Sequence, residues 1–343
     1  MRLGLVGYGL GGRVFHAPFI EAASGLEIAG VVARAETTRA RVAADLPGVP
    51  VHPDLASLLE AGVDAVTITT PPATRRELVM QAIAAGVHVV ADKPFAPSAA
   101  VAREMTDAAA EAGVVLSVFH NRLFDADLVT LQGVLDSGAL GPLWRVHSRF
   151  DLDEPEGLEA GPEGGLLRDI GTHLVYQLMG LLGPVTGVHA RLDTIQRPQG
   201  PTDAAFLLTL QHASGVTSTA ESTKTVHLAH RSLRAYGEDG AYEVDSADVQ
   251  AQAVFPGQRP SEDLDGWGFD AEENWGTLHT AAGHEPVPSA QGAYHRFYEQ
   301  FAAACAGKSA PPSPGEEGVA VLAVLDAARR SAASGQVEAV EPA

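Results

Sequence analysis

Along the first 120 residues, apolar positions fall into short, nearly unbroken runs separated by alanine-rich stretches of helical period. The runs Leu3–Val6, Ile28–Ala33, Ala65–Thr69, Val87–Ala91 and Val114–Phe119 predict strands, and the stretches 12–23, 36–45, 54–61, 74–85 and 98–112 predict helices. Strands this apolar, alternating with helices, predict a parallel sheet covered on both faces. Right-handed crossovers then bring every strand's C-terminal end to one edge, where doubly wound sheets hold ligands.

Beyond about residue 121 the rhythm changes. A helix is predicted from Leu123 to Ser137, ended by Gly138, then a strand over Leu143–Asp151, a Gly/Glu/Pro-rich loop over 153–164 and a helix over 167–182. Strands follow in succession at Val188–Ile195, Ala204–Gln211, Val216–Thr223, Ser232–Tyr236 and Ala241–Val244, the mark of an α+β unit with a large open, mostly antiparallel sheet. Residues 256–288 read as an extended loop, and helices near 290–306 and 315–334 close the chain. The second of these carries a start signal: Ser313 as N-cap, Pro314 at the first helical position and Glu316 three residues after the cap. The expected class is α/β in two domains, residues 1–120 and 121–343.

Charge narrows the possible partners. With 43 acidic residues against 23 basic ones, the net charge of −20 repels nucleic acid and anionic lipid, so neither is an expected partner. The single cysteine, Cys305, allows no intrachain disulfide, and no apolar run approaches the roughly 18 residues needed to span a bilayer. Together with a strand that begins at Leu3, these features lead to an expected cytoplasmic location.

Gly7-Tyr8-Gly9-Leu10-Gly11-Gly12 matches G-x-G-x-x-G directly after the first strand and at the opening of a helix. In that context Gly7 makes the tight turn, Gly9 admits a diphosphate to the backbone and Gly12 lets helix and strand pack closely. The first domain is therefore expected to be a dinucleotide-binding Rossmann domain. At the tip of the second strand an NAD site places Asp or Glu on the ribose, whereas this chain has Val32-Ala33-Arg34. Arg34, helped by Arg39, suits a 2′-phosphate, so NADP is the expected cofactor and NAD the alternative. Glu36 fits an acidic residue in a first helical turn.

Asp92-Lys93-Pro94 ends the fourth strand run on the cofactor edge, where a lysine beside an oxidised nicotinamide suits proton handling or polarisation of a substrate oxygen. Asp169 and His173 stand four apart in a predicted helix, a pairing that lets a carboxylate orient an imidazole base. A surface lysine and a helix-decorating pair are the competing structural readings. His227 and His230 lack a second ligand cluster, and no metal site is expected. Neither G-x-S-x-G nor G-x-x-x-x-G-K-[ST] occurs.

Taken together, these motifs resemble the glucose–fructose oxidoreductase, inositol dehydrogenase and rhizopine catabolism (Gfo/Idh/MocA) family over nearly the whole chain. Phe15-His16-Ala17-Pro18, Gly266-Trp267-Gly268 and Asn274-Trp275-Gly276-Thr277-Leu278 resemble its scyllo-inositol dehydrogenase branch. Thr69-Thr70-Pro71-Pro72 stands where the family has a T-P-N turn, and Asp92-Lys93-Pro94 where it has E-K-P. The resemblance implies a Lys93–Asp169–His173 catalytic set, with Thr70, Pro71, Pro72, Arg75 and Asp92 beside the cofactor. It also implies that Asn121, Arg122 and Tyr176 border the substrate, His120-Asn121-Arg122 matching the family's Q-N-R. The chain departs from the pattern at Pro72, Arg75, His120 and Tyr176.

The implied reaction is reversible oxidation of a secondary alcohol on a sugar, inositol or related polyol, in a homodimer or homotetramer built through the C-terminal sheet. That sheet is expected to leave an apolar face for another subunit to cover. Two alternatives stay open: a non-catalytic NADP-sensing protein, and a same-fold reductase of an imine, enone or tetrapyrrole. An intact proton-handling set argues against the first, while Tyr176 and His120 keep the second.

Overall fold

Apolar runs too short for helices pair side by side in the first part of the chain. In the computed structural model, which describes residues 1–161 and 164–341, they form β1 (Arg2–Val6), β2 (Glu27–Val32), β3 (Val51–His52), β4 (Ala65–Ile68), β5 (His88–Ala91) and β6 (Leu116–Val118). These six strands of the described residues are all parallel, in the order β3-β2-β1-β4-β5-β6. Helices α1 (Ala17–Ala22), α2 (Glu36–Asp45), α3 (Leu55–Glu60), α4 (Pro72–Ala84) and α5 (Ala99–Ala112) alternate with them. Side chains cap two of the starts: Asp54 accepts from the Ser57 N–H and Ser98 from the Val101 N–H. Leu3, Leu5, Val31, Val66, Ile68, Val89 and Val90 are fully buried, as a sheet covered on both faces requires. The strand order reverses between β2-β1 and β4-β5-β6, which places the switch point beside the end of β1.

This compact unit comprises Met1–Asn121 together with two later segments, 250–267 and 293–319. From the last of these, Phe297 and Tyr298 pack their rings on Phe119 at centroid distances of 4.9 and 5.6 Å.

The second unit, residues 122–249, 268–292 and 320–343, contains α6 (Ala126–Asp136), α7 (Thr172–Leu182) and a sheet of nine strands among the described residues. They are β7 (Leu143–Asp151), β8 (Val185–Arg197), β9 (Gly200–His212), β10 (Thr217–Thr223), β11 (His230–Gly237), β12 (Gly240–Asp245), β13 (Gly276–Thr280), β14 (Gly283–Val287) and β15 (Glu338–Ala339). The order is β14-β13-β12-β11-β7-β10-β9-β8-β15, with β7 and β10 parallel and the other pairs antiparallel. Helices α8 (Val249–Val254), α9 (His295–Cys305) and α10 (Gly315–Ser334) complete the elements.

The structure corrects four expectations. Residues 256–288 are not loop throughout, because β13 and β14 form a hairpin there. Its strands are half-buried to exposed and contain Gly, His, Glu and Pro, so backbone pairing rather than an apolar face holds them. The helices expected at 12–23 and 167–182 are each two windings, a wide i→i+5 turn (Gly11–His16; Leu167–Gly171) leading into a regular helix. Asp169 and His173 thus straddle a junction rather than sharing one uniform helix. Ser313 is not the N-cap of α10: it is buried, and its carbonyl accepts from the Val118 N–H and the Ser117 hydroxyl. The Pro314 carbonyl instead takes the first turn of the helix. Finally, the open face of the large sheet is mixed rather than uniformly apolar, with Leu207 and Tyr236 exposed on it among polar side chains. His147, Arg149, Thr219, Glu221, Arg234 and Glu243 lie on it, with Arg234 3.2 Å from Glu243 and His147 2.6 Å from Thr219. The loop expected over 153–164 includes Pro162 and Glu163, which lie outside the described residues, as do the last two residues of the expected second domain.

A buried charge cluster anchors α6 to the sheet. Arg231 Nη2 donates to Asp125 at 2.5 Å and to Asp127 at 2.7 Å, Arg122 donates to Asp125 and Asp248, and both guanidinium groups lie over the Phe150 ring. Burial raises the Asp125 carboxyl above its usual range despite the two arginines. Removing one cation strands buried carboxylates, so Arg231→Met is expected to lower unfolding free energy by about 3–5 kcal/mol. Denaturant titration, with circular dichroism as the signal, measures the loss.

Candidate active site

Three adjacent parallel strands end side by side, since Val6 pairs with Ile68 and Ile68 with Ala91. Each end carries one of the motifs: the glycine loop after β1, the Thr69–Pro72 turn after β4 and Asp92-Lys93-Pro94 after β5.

Gly7 has φ +101, a conformation that favours glycine, and its N–H donates to the Val32 carbonyl. A Cβ at Gly12 would overlap the Gly7 carbonyl oxygen, whereas one at Gly9 would meet nothing within 4 Å. The Thr69 hydroxyl fastens the turn by donating to the Val6 and Gly7 carbonyls. Tyr8 is buried and donates to Asp45, which also receives the Arg13 guanidinium at 2.7 Å; Leu10 is exposed. A loop closed by Gly12 and open above Gly9, leading into a helical turn, fits a dinucleotide diphosphate.

Arg34 is exposed immediately past β2, Arg39 donates to the Ala33 carbonyl just before it, and Glu36 opens α2. Both arginines therefore belong to the β2–α2 corner. Pro71 caps α4, which begins at Pro72. Arg75 is buried and donates to the carbonyls of Thr70 and Pro94, tying the β4 turn to the β5 turn. The Asp92 carboxylate accepts the Lys93 N–H at 2.8 Å. Burial works against its ionisation, but His16, Arg75 and Lys93 outweigh that and hold it below the usual carboxylate range. His120 is buried past β6, and burial, then the Lys93 charge, push its imidazole down to about 3. Asn121 beside it is also buried.

In the second unit, His173 and Tyr176 lie on the first turns of α7 and are 4% and 5% exposed. Asp169, in the wide turn before them, accepts from Lys224 Nζ at 3.1 Å. Lys224 follows β10, is itself buried and also lies 3.9 Å from Glu154. Arg122 is held by Asp125 and Asp248, and Gln177 donates to its carbonyl. The sequence gives no sign of Lys224, whose partner stands 55 positions away. Nor does it show Tyr298, which meets His16 in the first unit across 282 positions.

The two glycines separate folding from binding. Gly9→Ala is expected to fold with wild-type thermal stability yet lose about tenfold or more in dinucleotide affinity, because its methyl group enters the space a diphosphate needs. Gly12→Ala should instead unfold several degrees earlier. Thermal melts and fluorescence titration with NADP read both.

Among the described residues no helix is long and apolar enough to cross a membrane, and no group of three His, Cys, Asp or Glu side chains is placed to hold a metal ion.

Two family models match. One, the oxidoreductase family with an NAD-binding Rossmann fold, covers residues 1–120, and the other, the GFO/IDH/MocA C-terminal domain, covers residues 128–243. The chain is 30% identical to the scyllo-inositol 2-dehydrogenase (NADP(+)) IolW of Bacillus subtilis, over 96% of this chain and 93% of that one. It is 31% identical to the uncharacterized oxidoreductase YdgJ of Escherichia coli, over 97% and 96%. A solved Yersinia pestis structure superposes with a TM-score of 0.91 at 30% identity, covering 100% of this chain and 98% of that one. The chain belongs to the Gfo/Idh/MocA family of NAD(P)-dependent oxidoreductases and is an enzyme of that class.

Proposed function

We propose that this oxidoreductase reversibly oxidises a secondary alcohol of a sugar, an inositol or a related polyol, with NADP preferred and NAD as the alternative. Residues 1–120 would hold the dinucleotide and residues 121–343 the substrate and further copies of the chain. The observation that carries this reading is the alignment of the glycine loop, the Thr69–Pro72 turn and Asp92-Lys93-Pro94 on the ends of β1, β4 and β5. The name of the Bacillus relative, which includes both scyllo-inositol and NADP(+), supports the substrate class and the cofactor.

A bound nicotinamide accepts or returns the hydride. The chain's own residues handle the proton and the substrate. His173 takes the hydroxyl proton, Asp169 orients that imidazole with its carboxylate fixed by Lys224, and Lys93 donates a hydrogen bond to the substrate oxygen. Asn121 and Tyr176 border the substrate, and Arg122 shapes that border from its anchored position. Thr70, Pro71 and Pro72 line the cofactor edge, with Arg75 holding their turn in place. The lone Cys305 fits a reducing compartment, and the cytoplasm is the location we assign.

Arg34 and Arg39 support the cofactor choice, since a charge-assisted contact to a 2′-phosphate contributes roughly 1.5–3 kcal/mol, about ten- to a hundredfold in affinity. Titration with both cofactors should show NADP binding the tighter, and Arg34→Asp should reverse that order. A panel of inositols, aldoses and keto-sugars, followed by absorbance of the reduced cofactor, should show turnover. Tighter binding of NAD refutes the preference, and a panel without turnover refutes the substrate class.

The charged residues across the open sheet face suit pairing with the same face of a second copy about a two-fold axis, where each arginine of one copy can meet a carboxylate of the other. Light scattering at micromolar concentration should give a dimer or tetramer mass that falls on raising salt; a monomer mass refutes the assembly.

A further inference from the structure

One buried row of polar side chains in the first unit has no part in the chemistry above. His16 sits where the wide turn Gly11–His16 gives way to α1, and Pro18 at the start of that helix fixes the change of winding. Its ring is 0% exposed and stacks on Phe119 at 4.0 Å. Nδ1 lies 2.5 Å from the Tyr298 hydroxyl, and Nε2 faces Asp92 Oδ1 at 3.4 Å. That same Oδ1 accepts the Lys93 N–H, while Oδ2 lies 3.3 Å from where a Gly11 side chain would begin.

We infer that Tyr298 and His16 are positioning residues for Lys93, acting through the Asp92 carboxylate. The inference rests on the proposed role of Lys93. The protonation pattern follows from the neighbours. An ionised Asp92 only accepts, so the His16 ring turns an N–H toward it at Nε2 while Nδ1 meets the Tyr298 hydroxyl. Burial raises the Tyr298 hydroxyl well above its usual value, so it stays protonated, with Thr67 as a second hydrogen-bond partner. A phenol, an imidazole and a carboxylate in series thus fix one carboxylate rotamer between the glycine loop and the lysine. The row lies in an aromatic wall of Phe119, Phe297 and Tyr298, where a misaligned polar group has no water to turn to. Phenylalanine at 298 would fill the same volume, so packing alone does not call for a hydroxyl.

The chain has three lysines, Lys93, Lys224 and Lys308, which makes Lys93 directly observable. Reductive methylation with ¹³C-formaldehyde labels each amine, and Lys93→Arg and Lys308→Arg assign their signals. The charged or titratable groups facing this row are Asp92, Arg75, Lys93, His120 and Tyr298. His16→Asn reaches only toward Tyr298, and His16→Gln only toward Asp92. In His16→Asn and Tyr298→Phe the Lys93 signal should change its titration midpoint by about half a pH unit or more as Asp92 moves. His16→Gln should return it most of the way, and exposed Lys308 should not respond. With scyllo-inositol and NADP, His16→Asn should lower kcat on the order of ten- to a hundredfold while NADP affinity changes less than about threefold. Tyr298→Phe, which removes one oxygen, keeps the test open if His16→Asn does not fold. A folded Tyr298→Phe or His16→Asn protein with an unmoved Lys93 signal overturns the inference. A moved signal together with wild-type turnover by Lys93→Met leaves the row in place and overturns the role of Lys93 instead.

Discussion

Gly12 packs against the carbonyl of Gly7 with no room for a side chain between them, and the geometry of the first unit's functional edge depends on that contact. It brings the first helical turn directly onto the end of β1, where the first backbone N–H groups of a helix lack helical partners. The Thr69 hydroxyl holds the same turn from the neighbouring strand, and Arg75 passes the constraint on through the Thr70 and Pro94 carbonyls. The ends of β1, β4 and β5 are therefore cross-linked by polar contacts rather than left as three independent loops. Each link is buried or half-buried, where a lost partner costs more than at the surface.

The second unit uses buried charge in two different ways. Around α6, two arginines face three carboxylates, and both guanidinium groups lie over Phe150. Such a cluster adds little net stability over apolar packing but costs much when one partner is lost, and it holds the N-cap Asp125 of α6 against Arg122 and Gln177. The Lys224–Asp169 pair is smaller and asymmetric: the lysine is buried, whereas the aspartate is 28% exposed. A buried cation thus fixes a partly open carboxylate on the wide turn that leads into α7.

Legibility in the sequence followed physical cause. The strands of the parallel sheet are buried on both faces, so their apolar runs are continuous and stand out. The hairpin β13–β14 is half-buried at best, and its residues carry no period, so it read as loop. The later segments 250–267 and 293–319 join the first unit through tertiary packing that no local pattern encodes. The glycine loop was legible because a tight turn and a close approach admit few residues. Arg75 was singled out for its position, yet its burial and its two carbonyl partners emerged only with the fold. Lys224 and Tyr298 were invisible for a simpler reason: each acts on a partner brought near by topology, and a lysine after a strand or a tyrosine in an amphipathic helix carries no signal of its own.

His120 shows how the edge of the sheet controls charge. An imidazole pushed down to about 3 stays neutral near neutral pH. Burial is the larger cause and the Lys93 ammonium the second, so the two cations that could compete for Asp92 from this side are reduced to one. The carboxylate then faces Lys93, Arg75 and His16, with no further charge from His120. In the proposed reading, a dinucleotide arriving above Gly9 would meet no charge from His120, and an oxidised nicotinamide would be repelled less than by a protonated imidazole. The substitution of His120 for the family's glutamine therefore keeps a neutral polar side chain at this corner, and burial, not residue type, is what keeps it neutral.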